Sequence, residues 1–346
     1  MTGGAARTLL SFREAIRSPC LDCKTSPCCT YLMLRKFELE SLGDVDYVLY
    51  LSNFEGMFTS VGDDGVVRVY LYQPCGHLDV PSGLCKVHGT AEQPSICVHY
   101  NAHSCEYRHG MTVDVNPDQP LMDRRRARWY VEHVTFGEDR RVVSRPEWGD
   151  VIDAFTAMPL ERHPAAPAPP DPVLAEWRSI AISEKPAGNG SYAAHSYTDP
   201  QVADPCQGCE AWCCHVLVFG RDLPQNANQL DFFRYCLGFP SVELGVTEES
   251  WAVLVRTTCR HLAGGRCSAY GSDERPLRCG YYDALKCSYR DHFGNPRPAE
   301  MVRVAPEHFP VLAGSVVFDG SGEVRQLPSP DVLRYRIEES MRAGAG

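Results

Sequence analysis

Residues 206–219 read CQGCEAWCCHVLVF and residues 251–267 read WAVLVRTTCRHLAGGRC. In both stretches a compact apolar run lies against cysteines, and the runs Val216–Phe219 and Trp251–Arg256 predict strands. Gly264-Gly265 predicts a tight turn ahead of Cys267. Between the two stretches, QLDFFRYCL at 229–237 sets its apolar side chains on one helical face and predicts a helix. Short strands and short helices tied to cysteine-bearing loops give an α+β class: a small cysteine-rich domain.

The same pattern occurs earlier in the chain. Cys20, Cys23, Cys28, Cys29, Cys75, Cys85, Cys97 and Cys105 align with Cys206, Cys209, Cys213, Cys214, Cys259, Cys267, Cys279 and Cys287 at an offset of 182 to 186. Cys85 to Cys97 and Cys267 to Cys279 each enclose eleven residues, and the next interval encloses seven in both copies. His77-Leu78 pairs with His261-Leu262, Pro94 with Pro276, Tyr100 with Tyr282, and Asp46-Tyr47 and Tyr50 with Asp231-Phe232 and Tyr235. Val66–Tyr72 mirrors the strand before Cys259. A hairpin at 318–326 is echoed at 136–143, each followed by a Pro-initiated helical segment, 330–339 and 146–155. A repeat near 184 residues is far longer than a solenoid unit, so the domain itself is duplicated in tandem and each copy is expected to fold alone.

At 346 residues, about 150 per domain gives two domains. PAAPAPPDP at 164–172 reads as a stiff extended linker because proline fixes φ and removes donors, and 186–200 adds loop signals. The expected division is 1–163 for the first cysteine-cluster domain, 164–199 for a Pro/Gly-rich linker and 200–346 for the second. The net charge of −10 repels phosphate backbones, so nucleic acid is not expected as a partner. No apolar run approaches the length of a membrane span, and Arg7, Arg13, Glu14 and Arg17 interrupt the segment where a signal peptide needs an apolar core. A cytoplasmic location with no membrane partner is expected.

Seventeen cysteines in a reducing compartment point to metal coordination rather than disulfides. In C-x-x-C two thiolates can converge on one ion, whereas adjacent cysteines diverge and suit neighbouring sites or a bridge. Eight thiols per copy can fill two four-thiolate zinc sites or hold one iron–sulfur cluster with the rest structural. Cys236 has no partner in the other copy, where Leu51 stands, and is expected to be a buried thiol. His77 and His261 are expected to be turn or outer-sphere residues more than ligands, and His103 and His215 surface residues. Arg275 is expected to hold a local carbonyl that fixes the cysteine loop more than to contact an anionic ligand, and Arg124, Arg125, Arg126 and Arg128 to form a wet helix face.

The second copy, C-x2-C-x3-CC, then C-R-H-L-x2-G-R-C-x2-Y, then R-P-x2-C and Cys287, resembles the YkgJ-type CxxCxxCC family of zinc- or iron-chelating domains, which is itself similar to flagellin lysine N-methylases. The first copy departs from it with C-x2-C-x4-CC and with Gln93 and Ile96 in place of Arg275 and Arg278. The resemblance implies a metal site of zinc or iron. G-x-x-x-x-G-K-[ST], H-E-x-x-H, G-x-S-x-G and G-x-G-x-x-G signatures are all absent, Gly188-Asn189-Gly190 falling in the linker. Three expectations follow: a metal-binding protein with two eight-cysteine clusters, an iron-dependent methyl-transferring enzyme suggested by the family likeness, or a metal storage or delivery protein. Metal ions are the expected ligands, and any protein or small-molecule partner is left open.

Overall fold

The computed structural model describes residues 26–101, 118–161, 211–281 and 301–344, with 11, 13, 105, 107, 115, 116 and 289 between them. The linker at 164–199, His103, and Cys20, Cys23, Cys206, Cys209 and Cys287 lie outside the described residues.

The first repeat opens with a tight turn, Pro27–Cys29, then β1 (Tyr31–Glu38), α1 (Leu42–Leu51), β2 (Met57–Val61) and β3 (Val66–Tyr72). A small hairpin, β4 (Leu78–Asp79) and β5 (Leu84–Cys85), leads to the short helix α2 (Ser95–Val98), then β6 (Leu121–Met122) and α3 (Arg124–Glu132). A second hairpin, β7 (Thr135–Phe136) and β8 (Val142–Ser144), precedes α4 (Trp148–Ala157). The second repeat runs from the turn Trp212–Cys214 through β9 (Val216–Arg221), α5 (Ala227–Leu237), β10 (Val242–Val246), β11 (Trp251–Arg256), β12 (Leu262–Ala263), β13 (Arg266–Cys267) and α6 (Leu277–Tyr281). It ends with β14 (Val302–Val304), α7 (Phe309–Ala313), β15 (Val317–Phe318), β16 (Val324–Gln326) and α8 (Pro330–Gly344).

The class is mixed α and β. Each repeat builds one four-stranded antiparallel sheet, ordered β1-β3-β2-β6 in the first and β9-β11-β10-β14 in the second, so strands in equivalent sequence positions occupy equivalent places. The apolar runs at 216–219, 251–256 and 66–72 are strands because their β-branched and aromatic side chains pack on both faces. The helix at 229–237 starts two residues earlier, where Asn226 accepts from the Gln229 amide at 3.0 Å. Its counterpart α1 is entered through a capping box formed by Ser41 and Asp44. Gly264 and Gly265, at φ +57° and +76°, make the two-residue turn between β12 and β13, a conformation only glycine holds without strain.

The repeats do not keep separate cores. Leu32, Leu34, Leu51, Phe54, Met57, Val69 and Leu71 of the first are buried in the same cluster as Leu217, Phe219, Phe233, Phe239, Val253 and Leu333 of the second. Helix α5 places Leu230, Phe233, Cys236 and Leu237 in that shared cluster and α1 places Leu51 there, while Val45 and Val48 of α1 face the first repeat's own interior. Among the described residues each repeat also has smaller clusters of its own, Val45, Val48, Val67, Tyr130 and Phe155 in one and Phe58, Tyr70 and Leu121 in another of the first repeat, and Trp212, Val216, Ala252 and Leu254 in the second.

Arg125 and Arg128 are exposed, as the wet-face reading of the arginine run expects, and Arg126 is not. Arg126 is fully buried and donates to the carbonyls of Leu121, Phe155 and Met158 at 2.9, 2.8 and 2.7 Å, tying α3 to the end of α4. Three carbonyl acceptors replace the water a guanidinium loses on burial. Arg124 and Arg128 reach Glu274 of the second repeat at 3.9 and 3.6 Å.

Candidate functional site

In each repeat the thiols come from four pieces of backbone stitched together at fixed points. The turn carrying the double cysteine begins at a residue in left-handed conformation, Ser26 (φ 40°) and Ala211 (φ 56°), whose carbonyl accepts from the second cysteine, Cys29 or Cys214, at 2.8 or 2.7 Å. The carbonyls of Cys29 and Cys214 then accept from the amides of Cys75 and Cys259, at 2.7 and 2.8 Å, which brings the end of the central strand beside the turn. The hairpin cysteines pair across the small ribbon, Leu78 with Cys85 and Leu262 with Cys267. The fourth piece is the short helix after proline, where the amides of Cys97 and Cys279 donate to Pro94 and Pro276 at 2.9 and 3.0 Å.

These pieces gather their thiols. Burial, then the charges of Cys28, Cys75 and Cys85, pushes Cys97 up to about 12. In the second repeat burial, then Cys213, Cys259 and Cys267, opposed by Arg275, pushes Cys279 up to about 12. Within the adjacent pairs one thiol donates to the other: Cys28 falls to about 7 through the hydrogen bond from Cys29, and Cys29 rises for the same reason, with burial and neighbouring thiols adding to it. Cys259 falls to about 7 through a hydrogen bond from Cys214, which rises, and Cys213 is lowered by the same donor. Cys28, Cys29, Cys75, Cys85, Cys97, Cys213, Cys214, Cys259, Cys267 and Cys279 are thiols and not disulfides. Cys105 is buried beside Tyr100.

Among the described residues no three His, Cys, Asp or Glu side chains form a group able to hold a metal ion. The described thiols of each repeat are therefore neighbours and not a closed cage, and both C-x-x-C pairs as well as Cys287 lie outside the described residues. His77 and His261 act through their main chains: their amides point at the thiols of Cys75 and Cys259 and their carbonyls accept from Lys86 and Ser268 at 2.8 and 2.7 Å. The His261 ring is buried, and burial followed by the charge of Arg124 lowers its pKa. His215 is half-buried in the turn beside Cys214. Arg275 donates to the carbonyl of Cys279, the local contact expected of it, and its guanidinium lies 4.3 Å from the Tyr270 ring centroid. Cys236 is a buried thiol on α5, as expected from its place opposite Leu51.

Sequence reading missed the tyrosines and aspartates of α1 and α5. Tyr235 donates to the carbonyl of Cys28 at 2.8 Å, so a second-repeat phenol closes against a first-repeat thiol turn. Tyr50 is raised by burial first, then by Tyr289, Cys279, Cys213 and Cys214, which puts a first-repeat phenol beside the second set of thiols. The available signal was their alignment at one offset, Asp46 and Tyr50 with Asp231 and Tyr235. No family model, curated protein or solved structure matches this chain.

Proposed function

We propose that the protein binds metal through two repeated thiol sites, one per repeat, with Cys20, Cys23, Cys28, Cys29, Cys75, Cys85, Cys97 and Cys105 as the donor set of the first. Cys206, Cys209, Cys213, Cys214, Cys259, Cys267, Cys279 and Cys287 are the donor set of the second. The observation that carries this reading is the backbone stitching repeated in both copies, in which the carbonyl of the second adjacent cysteine accepts from the amide of the cysteine that follows the central strand, Cys29 from Cys75 and Cys214 from Cys259. Crowded thiols cannot all ionise beside one another without a cation, and soft thiolate donors suit zinc or an iron–sulfur centre. Zinc is the first choice, since a closed thiolate site in a structural role needs no open coordination position. Kinship with the YkgJ-type family, a tandem arrangement of cysteine-rich domains and a reducing, cytoplasmic compartment belong to the same proposal. Among the described residues no helix is long and apolar enough to cross a membrane.

Anaerobic purification followed by metal analysis and an acid-labile sulfide assay tests it. Zinc without sulfide supports the first choice, and brown protein with sulfide assigns an iron–sulfur centre to the same thiols. Protein free of metal, with its thiols open to titration after metal supplementation, overturns the reading.

A further inference from the structure

Each thiol-bearing short helix begins after a proline, Pro94 or Pro276, which offers no side-chain oxygen to the exposed amides of the first turn. The missing acceptor comes from the other repeat. Asp46 on α1 accepts from the amides of Leu277 and Arg278 at 2.7 and 2.8 Å, and Asp231 on α5 accepts from the amide of Ser95. These two aspartates align in the duplication, so the contact is made twice with the repeats exchanged. One turn further along, Tyr235 donates to the carbonyl of Cys28 at 2.8 Å, and the Tyr50 ring centroid lies 5.9 Å from the guanidinium of Arg278 in the other repeat.

A second crossed contact fills a gap in the first repeat. Where the second repeat fixes its own loop with Arg275, the first has Gln93, and Arg234 of α5 donates to the carbonyls of Ala91 and Gln93 at 3.0 and 3.2 Å. Arg234 is held for this by Asp231, at 2.5 Å. The equivalent position on α1 is Leu49, which the second repeat can accept because Arg275 serves it internally.

We propose that each thiol site is positioned from the opposite repeat, Asp231 setting the Cys97 helix and Asp46 the Cys279 helix, so that damage to one repeat's aspartate opens the other repeat's site. This rests on the metal-binding reading only for what occupies the sites; the crossed positioning stands on the hydrogen bonds themselves.

The test uses the full chain and its Asp231→Ala, Asp231→Asn, Asp46→Ala and Asp46→Asn variants, comparing amide hydrogen exchange of peptides covering 95–99 and 277–281, with metal content measured in parallel. Losing a cap worth a typical amount speeds exchange in the capped helix by about tenfold. Asp231→Ala is expected to accelerate 95–99 and leave 277–281 unchanged, and Asp46→Ala the reverse. Each Asn variant falls between, since asparagine keeps one acceptor oxygen. Acceleration within the mutated residue's own repeat, equal acceleration of both helices, or no change in either overturns the crossed positioning. Wild-type protein without metal overturns the metal reading, while the exchange pattern still decides the positioning.

Discussion

Arg275 donates from Nη2 to the carbonyl oxygen of Cys279 at 2.6 Å, closing the loop that carries the last described thiol of the second repeat. The guanidinium also lies against Tyr270, so both the charge and the flat shape are used. Arg275→Ala should cost about 1.5 kcal/mol in urea unfolding, the lower end for a charged hydrogen bond because the site is only half-buried. Arg275→Lys keeps the charge and loses the planar fork, so it should recover less than half. Full recovery by lysine would show that charge alone holds the loop.

The left-handed residue before each double cysteine gives a second prediction. Ala211 sits at φ 56° with only a methyl group, which can form no compensating hydrogen bond, whereas Ser26 at φ 40° donates from Oγ to the carbonyl of Gly83 at 2.7 Å. An L-residue in this region costs about 1–2 kcal/mol, and glycine gives back part of the gain through the freer unfolded chain. Ala211→Gly should therefore stabilise by roughly 0.5 kcal/mol. Ser26→Gly, which loses its bond to the hairpin, should be neutral or destabilising. The two denaturation midpoints moving in the same direction by the same amount would refute this distinction.

The repeat was legible in the cysteine spacing, and apolar periodicity pointed to the strands through 216–219 and 251–256 and the helix through 229–237, because these signals are local and physical. What was not legible depends on partners far along the chain. Asp46 bonds to an amide 232 positions away and Asp231 to one 136 positions away, and no local pattern reports such an acceptor. Arg126 was read as solvated because charge runs normally face water. Its burial becomes intelligible only once the carbonyls of Leu121, Phe155 and Met158 are seen to surround it. The sixteen aligned cysteines were expected to be metal ligands; eleven of them lie among the described residues as free thiols, and no three His, Cys, Asp or Glu side chains there form a group able to hold a metal ion.

Cys236 links burial to pH. Burial, opposed by the charge of Arg221, pushes this thiol from 9.0 to about 12. Between those values the unfolded chain has released the proton that the folded chain still binds, so stability falls as pH rises, by about 1.4 kcal/mol per pH unit from this group. Below 9 the effect vanishes because both states are protonated. Cys236→Ala should lower stability modestly at pH 7 by leaving a small void, and should flatten the decline above pH 9. Unfolding free energies at pH 7, 9 and 10 check it; identical slopes in wild type and variant would show that this thiol is not protected.

The shared core sets the last prediction. Leu32, Leu34, Leu51, Phe54, Met57, Val69 and Leu71 are buried in one cluster with residues of β9, α5, β11 and α8. Exposing a large apolar side chain forfeits about 1.5–3 kcal/mol, and a domain's net stability is only about 5–15 kcal/mol. Uncovering even a few of these residues by removing the other repeat therefore cancels most of the margin. The crossed aspartates and the backbone bonds Gly76 to Gly238 and Arg260 to Asn53, both 2.8 Å, would be lost in the same cut. Residues 1–163 and 200–346 produced separately should bind a dye for exposed apolar surface and lack dispersed amide resonances. Mixing or co-expressing them should restore a native spectrum. Two well-folded isolated fragments would mean that each repeat fills its apolar face by itself, and that the joint is a contact between finished domains.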